Sequence, residues 1–390
     1  MAKNKITVGI DIGSHSTRVV VVSFDKETGI SQTLGIGIAS SEGVRLGYIR
    51  NTDRIAHSIE KAVKQAETSS GIHIRQAVVS IGGISLSSIV SNGSVIISKA
   101  DQEITEFDVK KAILNSGENL EIPNKKIIHM VPLSYKLDGK EIYGHPEGMK
   151  GIKLEAKVLY VTCLKQNLED LVTAFGLAKI EILDIIPSPL ASSMILLNSK
   201  QKAAGCALLD IGAETVSLAV FENNLLLSLQ VFSIGSLDIT KDVALGLRVN
   251  LDEAESIKLG SVIGGDYSKK KIDEIIEARL VDIFELVENH LKRIKRSELL
   301  PAGVIITGGG SHINGIDEIA KRELRLPARV GPNDLTISNK LKIRDGSWYT
   351  VFGLTLYIND KNTKEKDDDT NDIFKKIKSS LKSALSQLLP

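Results

Sequence analysis

The strongest constraint on the fold of this chain is a short motif that occurs twice. Residues 10–16 read I-D-I-G-S-H-S, and residues 209–215 read L-D-I-G-A-E-T. Each copy follows an apolar run and leads into a second one, Arg18 to Val22 in the first case and Ser217 to Phe221 in the second. An apolar strand, a D-x-G turn and a returning apolar strand form a β-hairpin pattern. Its repetition implies two related halves, each offering an acidic, glycine-bearing tip to a shared cleft. Backbone N–H groups in such a turn suit phosphate oxygens, and the Asp suits a hydrated Mg²⁺. A hydroxyl follows each Asp, at Ser16 and at Thr215. The candidate nucleotide contacts are Asp11, Gly13, Ser14, His15 and Ser16 on one tip, and Asp210, Gly212, Ala213, Glu214 and Thr215 on the other. A duplicated hairpin that holds no ligand is the competing reading.

A third glycine-bearing turn, Gly308, Gly309, Gly310 and Ser311, follows the apolar run Val304 to Thr307 and precedes a helix expected to start near Asn314. Glycine lets the backbone approach a ligand closely, and a helix N-terminus favours polar or anionic groups. The turn lacks the full dinucleotide fingerprint. Beside two acidic hairpins, its expected place is the sugar and base end of a nucleotide.

A chain of 390 residues suggests more than one subdomain. Its 42% hydrophobic and 25% charged content is that of a soluble globular protein, and a net charge of +1 argues against broad electrostatic binding to nucleic acid. Cys163 and Cys206 sit in apolar runs and read as core thiols in a reducing compartment, and the cysteines and histidines have no metal-ligand spacing. No apolar run is long enough to span a bilayer, and the N-terminus reads as a mature cytosolic start. Strand and helix patterns alternate, which indicates an α/β fold with mixed sheets. Residues 84–160 change character and read as an inserted α+β subdomain, with Thr105 capping a short helix. The run Val158 to Thr162 is expected to return to the core. Lys269, Lys270 and Lys271 are expected in a surface loop before a helix over 272–295.

The two D-I-G hairpins, the turn and helix from Pro187 to Ser193, the T-G-G-G-S turn at 307–311 and the Phe352-Gly353-Leu354 helix together resemble the signatures of the actin/Hsp70/sugar-kinase superfamily. The resemblance covers residues 5–358. It implies an α/β, actin-like duplicated ribonuclease-H-type fold, with ATP (or ADP) and Mg²⁺ as cofactors. By the same resemblance, Asp11 and Asp210 flank Mg²⁺ through water. Glu255 and Lys258, in the A-E-S-I-K-L-G run, contact ribose and adenine, a solvated helix face being the alternative. Hydrolysing members place Glu or Gln at the position held here by Ser188. A hydroxyl is a poor base, so no catalytic residue is assigned and hydrolysis is expected to be slow at most.

Within that superfamily the chain is similar to the FtsA family of bacterial cell-division proteins. The signs are the position of the insertion, its I-I-H-M-V-P run at 127–132 followed by Gly148, Gly151 and Lys157-Val158, the A-E-x-I-K segment, and the tail. The implied division is 1–82 with 162–197 (subdomain 1A), 83–161 (inserted subdomain 1C), 198–240 with 301–358 (2A), and 241–300 (2B).

The tail begins with a polar stretch, 359–370, that reads as a flexible linker. In 371–390, Ile373, Phe374, Ile377, Leu381, Leu385 and Leu388 fall on one helical stripe, and Lys375, Lys376, Lys378 and Lys382 occupy the rest. This pattern fits an in-plane amphipathic helix on an anionic membrane surface. A helix docked on its own domain is the other reading. The resemblance adds the partners. The FtsZ C-terminal peptide would dock on 241–300 near Arg279, which is otherwise a plain surface arginine. Further copies of the chain would assemble through the insertion, and other division proteins would join. The expected location is the inner face of the cell membrane at the division site. A PilM-like adaptor of type IV pilus assembly shares the fold and insertion but normally lacks such a tail, and a small-molecule kinase would need a base that the chain does not offer.

Overall fold

A computed structural model describes residues 5–25, 31–118, 120–260, 267–332, 335–338, 341–343 and 345–364. The first half contains β1 (Lys5–Ile12), β2 (Ser16–Phe24), β3 (Ser31–Ser40), the two-residue strands β4 (Val44–Arg45) and β5 (Tyr48–Ile49), α1 (Thr52–Ser70) and β6 (Gln76–Ile81). The insertion follows with β7 (Ser87–Ile96), α2 (Glu106–Glu118), β8 (Lys125–Leu137), β9 (Lys140–Ile142) and β10 (Lys153–Leu164). The first half is completed by α3 (Lys165–Leu177), β11 (Glu181–Pro187) and α4 (Ser188–Leu196). The second half runs through α5 (Ser199–Ala204), β12 (Cys206–Ile211), β13 (Val216–Glu222), β14 (Leu225–Phe232), α6 (Ser236–Leu247), α7 (Leu251–Lys258), α8 (Lys269–Arg293) and β15 (Val304–Thr307). It ends with α9 (Ile316–Leu324), β16 (Ala328–Val330), β17 (Leu335–Ser338), β18 (Leu341–Ile343) and α10 (Tyr349–Lys364).

The duplication is exact in topology. The first sheet has the order β11-β6-β1-β2-β3, and the second repeats it as β16-β15-β12-β13-β14. In both, the hairpin strands are antiparallel and the next strand joins in parallel. Both faces of each sheet are covered, which explains the unbroken valines of β2. Val19 and Val21 face the core shared with α1, while Val20 and Val22 pack with Trp348, Val351 and Phe352. β-Branched residues suit a strand buried on both faces.

In the insertion, α2 lies on a sheet of order β7-β10-β8-β9. The Thr105 N–H and hydroxyl both donate to Asp108, at 2.9 and 2.5 Å, so the helix starts as the sequence pattern predicts. Val158 to Thr162 returns to the main core as expected, but on one face only. It is the end of the long strand β10, whose residues alternate between two cores: Val158 and Tyr160 face the insertion, Leu159 and Val161 the main core. The insertion sheet joins the second half's sheet through one pair, Ser87 with Gln230.

Two further expectations change. Lys269 to Lys271 form the first turn of α8 rather than a loop, since lysine is a good helix former and Lys270 pairs with Glu274 one turn on. At the other end, α10 continues to Lys364, into the stretch 359–370 that composition reads as linker. The tail readings beyond Lys364, including all the named membrane residues of 371–390, lie outside the described residues. No described helix is long and apolar enough to cross a membrane.

Candidate functional site

The hairpin tips meet at one cleft of about 1970 Å³ between the halves. Their geometry is duplicated in detail. Asp11 pairs across its hairpin with Arg18, and Asp210 pairs with Ser217. Gly13 N donates to Ser16 O at 3.1 Å, and Gly212 N donates to Thr215 O at 2.9 Å. Helices α4 and α10 cross behind the tips so closely that a Cβ on Gly353 would overlap the Ala191 carbonyl oxygen. This crossing joins the two halves.

The two carboxylates are held differently. Ser80 Oγ donates to Asp11 Oδ1 at 2.5 Å, whereas Asp210 has the Thr350 hydroxyl of α10 beside it, which favours its charged form. Burial pushes both pKa values up. For Asp210 the charge of Asp11 adds to burial, Arg18 and Thr350 oppose it, and the result is about 7. Each carboxylate is therefore poorly solvated in its charged form. Ser16 Oγ is buried with no hydrogen-bond partner among the described residues. Two desolvated carboxylates, an orphan hydroxyl and glycine-bearing turns fit the phosphates and Mg²⁺ of a nucleotide.

Most of the residues expected from the sequence line this cleft: Asp11, Gly13, Ser14, His15 and Ser16 on one wall, and Asp210, Gly212, Ala213 and Thr215 on the other. Glu255 and Lys258 line it further along and are joined to each other at 2.7 Å. Thr240 donates to Glu255 at 2.5 Å, and Lys258 donates to Thr240 at 2.9 Å. Burial acts to raise the Glu255 pKa, but the hydrogen bonds from Lys258 and Thr240 and the charges of Lys258 and His15 outweigh it and bring it down. Gly308, Gly309 and Gly310 also line the cleft. A Cβ on Gly308, whose φ is 87°, would overlap Asp210. Residues Gly309–His312 form a 3₁₀ turn, and the helix begins only at Ile316.

Two expected contacts are turned away. Ser311 is buried and donates to Gly308 O at 2.7 Å. Glu214 is absent from the lining and accepts a hydrogen bond from Leu46 N at 2.5 Å. Ser188 lines the cleft at the start of α4. Arg279 lies outside the cleft on α8, held by Asp242 through two hydrogen bonds of 2.6 and 3.0 Å and by Asp282 at 3.2 Å.

Sequence reasoning missed Arg18. Its guanidinium lies 5.6 Å from the Trp348 ring centre and lines the cleft. Burial lowers its pKa, and the charges of Asp11, Asp345 and Asp210 oppose that shift. Its Nε has no partner among the described residues. The available signal was a lone cation opening a run of four valines opposite Asp11. Asp345 was missed too. Burial would raise its pKa, but hydrogen bonds from Ser347, the charge of Arg18 and the approach of His312 to 3.6 Å bring it down.

Comparison with known proteins gives a consistent picture. The family model described as "Cell division protein FtsA" matches residues 207–353, and the model "SHS2 domain inserted in FTSA" matches 83–162. The cell division protein FtsA of Bacillus subtilis (strain 168) is 32% identical over 379 residues, covering 92% of this chain and 84% of that protein. The Pseudomonas aeruginosa cell division protein FtsA is 31% identical, covering 90% and 89%. Among solved structures, a chain of the PilM-PilN type IV pilus biogenesis complex has a TM-score of 0.67 at 16% identity, covering 91% of this chain and 99% of that one. MreB5 of Spiroplasma citri bound to ADP has a TM-score of 0.55 at 11% identity, covering 93% and 99%. These two likenesses concern the fold alone.

Proposed function

The chain belongs to the FtsA family of cell division proteins, and from that premise we infer that it is an ATP-binding, self-assembling protein that anchors the FtsZ ring to the cytoplasmic membrane. The observation that carries the nucleotide part is the convergence of Asp11 and Asp210, from two topologically identical halves, on one cleft. The tip backbone and the hydroxyls of Ser14, Ser16 and Thr215 would grip the phosphates. Asp11 and Asp210 would hold Mg²⁺ through water, and bound Mg²⁺ would offset phosphate charge. Gly308 to Gly310, with Glu255 and Lys258, would take the nucleoside. Arg18 adds a fixed cation beside both carboxylates. Ser188 offers a hydroxyl where a base would be needed, which supports ATP as a conformational and assembly ligand with slow turnover at most. The fold also allows hinge motion of the halves about the α4–α10 crossing.

The membrane part rests on the lysine-flanked apolar stripe of 371–390. One short helix is a weak, reversible anchor, and many displayed on a filament bind tightly through effective concentration. The FtsZ C-terminal peptide is assigned to 241–300 with Arg279, and self-assembly to the insertion. The pilus-adaptor alternative has a fold likeness behind it but no comparable sequence likeness.

The test is co-sedimentation with anionic liposomes, with and without residues 371–390, in Mg-ATP and in Mg-ADP. The full chain should pellet and the truncated chain should stay in solution. Equal pelleting of the two would end the anchor reading, and a failure to bind ATP in a separate equilibrium assay would end the clamp reading.

A further inference from the structure

The turn between β4 and β5 pairs with neither large sheet. Its root is fixed to the first hairpin tip. Ser41 N donates to His15 O at 3.0 Å, and the Ser41 and Thr17 hydroxyls are 2.9 Å apart. Gly47 N donates to Ser14 Oγ at 3.1 Å. The end of the turn lies flat against Gly83, so that a Cβ on Gly47 would overlap the Gly83 backbone. The neighbouring amide then crosses to the other half: Leu46 N donates to Glu214 Oε2 at 2.5 Å. Adjacent amides of one turn thus hold both hairpin tips.

Glu214 suits this role better than it suits phosphate. A carboxylate repels a phosphate, and Glu214 is the one residue of the 212–215 tip outside the cleft lining. Leu46 supplies a second, independent observation. Its φ is 51° and that of Gly47 is 72°, the pattern of a type I′ turn. Leucine is unfavourable in that conformation, and such strain persists only where the surroundings hold it. The β4–β5 pairing, the Gly47–Gly83 contact and the Glu214 carboxylate together provide that hold.

We propose that residues 43–50 form a strap that latches the two halves across the phosphate end of the cleft, with Glu214 as the catch. The latch itself is independent of the ligand, whereas its effect on ligand release rests on the nucleotide reading above. The other contacts of the strap described here are made within the first half. Opening the halves about the α4–α10 crossing therefore breaks the Leu46–Glu214 bond. A nucleotide held by the tips would leave only after that bond opens.

The experiment compares the full chain with Glu214→Gln, Glu214→Ala and Leu46→Asn, the last placing a residue suited to positive φ at the strained position. Hydrogen exchange of the nucleotide-free proteins reads the latch directly. Loss of a charge-assisted hydrogen bond should speed exchange in peptides spanning 43–50 by about tenfold in Glu214→Ala, and less in Glu214→Gln, with β1 and α1 unchanged. Leu46→Asn should slow it. Stopped-flow release of a fluorescent ATP analogue should follow the same order, about tenfold faster for Glu214→Ala. Unchanged exchange at 43–50 would overturn the latch. Faster exchange with unchanged release would overturn the gating role. Faster exchange in a protein that binds no nucleotide would leave the latch standing and remove the nucleotide reading instead.

Discussion

Replacing Asp210 by Asn should stabilise the free protein in a way that grows with pH. The carboxyl has an ordinary value of 3.8, and burial together with the charge of Asp11 raises it to about 7. A group whose folded pKa is raised binds a proton in the folded state that the unfolded chain has lost. Its contribution is therefore fully present below pH 3.8 and falls away as pH rises through about 7, at about 1.4 kcal/mol per pH unit in the window between. Across that window the cost comes to about 4 kcal/mol, an order-of-magnitude figure for a site coupled to Asp11. Asparagine keeps the acceptor for Thr350 and carries no charge, so the variant should escape this cost. The assay is chemical unfolding with EDTA and without nucleotide, at several pH values from about 4.5 to 8.5. A chain of several subdomains is best read by transition midpoints. The two midpoints should lie close together at the acid end, separate steadily, and run parallel above about pH 7. Curves that stay parallel throughout, or approach each other as pH rises, would refute the claim that burial and Asp11 load this carboxyl.

Other perturbations test other joints. Gly353→Ala should destabilise the protein by about 1–3 kcal/mol, because its Cβ overlaps the Ala191 carbonyl oxygen and forces α4 and α10 apart; an unchanged unfolding midpoint would contradict this. Arg18→Met should weaken Mg-ATP binding by about tenfold or more, with partial recovery in Arg18→Lys, as measured by equilibrium titration. His290 has its pKa lowered to about 4, first by burial and then by Arg293. Arg293 donates to its Nδ1 at 2.7 Å, so Nε2 donates to Ser228 Oγ at 2.8 Å. Because the folded value lies below 6.5, its contribution to stability should be lost as pH falls from 6.5 towards 4, and its NMR ring signals should stay constant between about pH 5.5 and 8; a ring titrating near 6.5 counts against this environment. Arg279→Ala should lower affinity for the FtsZ C-terminal peptide in fluorescence anisotropy, and unaltered affinity would remove Arg279 from the proposed groove.

The parts of the fold legible in the sequence were those governed by local pattern. The hairpins could be read because a D-x-G turn between apolar strands is a short-range signal, and its repetition carried the duplication. Helix α1 carries its buried residues at helical spacing, and Asn51, accepting from Arg54 N at 2.9 Å, caps its start. The long strand β10 was less legible. Its alternation serves two different cores, and the boundary between insertion and first half falls inside it. The tilt of Ser311 into the protein and the outward turn of Glu214 are decided by partners at Gly308 and Leu46. The second of these is 168 positions away, beyond the reach of any local rule.

The same limit explains why Arg18 escaped notice, and why it matters to the logic of the cleft. Duplication by itself produces two like carboxylates facing one cavity, an arrangement whose repulsion grows as water is excluded. The halves differ where that problem is met. The partner of Asp11 across its hairpin is Arg18, while the partner of Asp210 is Ser217. On the neighbouring parallel strands, Ser80 donates to Asp11, whereas Thr307 lies beside Asp210 in register and donates to Gly346 O at 3.4 Å, leaving Asp210 to Thr350 on α10. One arginine lies among Asp11, Asp210 and Asp345, so it can balance only one of them when they ionise. Under the proposed function, a bare nucleotide would bring its full phosphate charge beside these carboxylates, and a nucleotide carrying Mg²⁺ would bring less. The broken symmetry of the two halves thus shapes the electrostatics of the site: the first half supplies a fixed cation, and the second supplies a carboxylate beside Thr350 of α10.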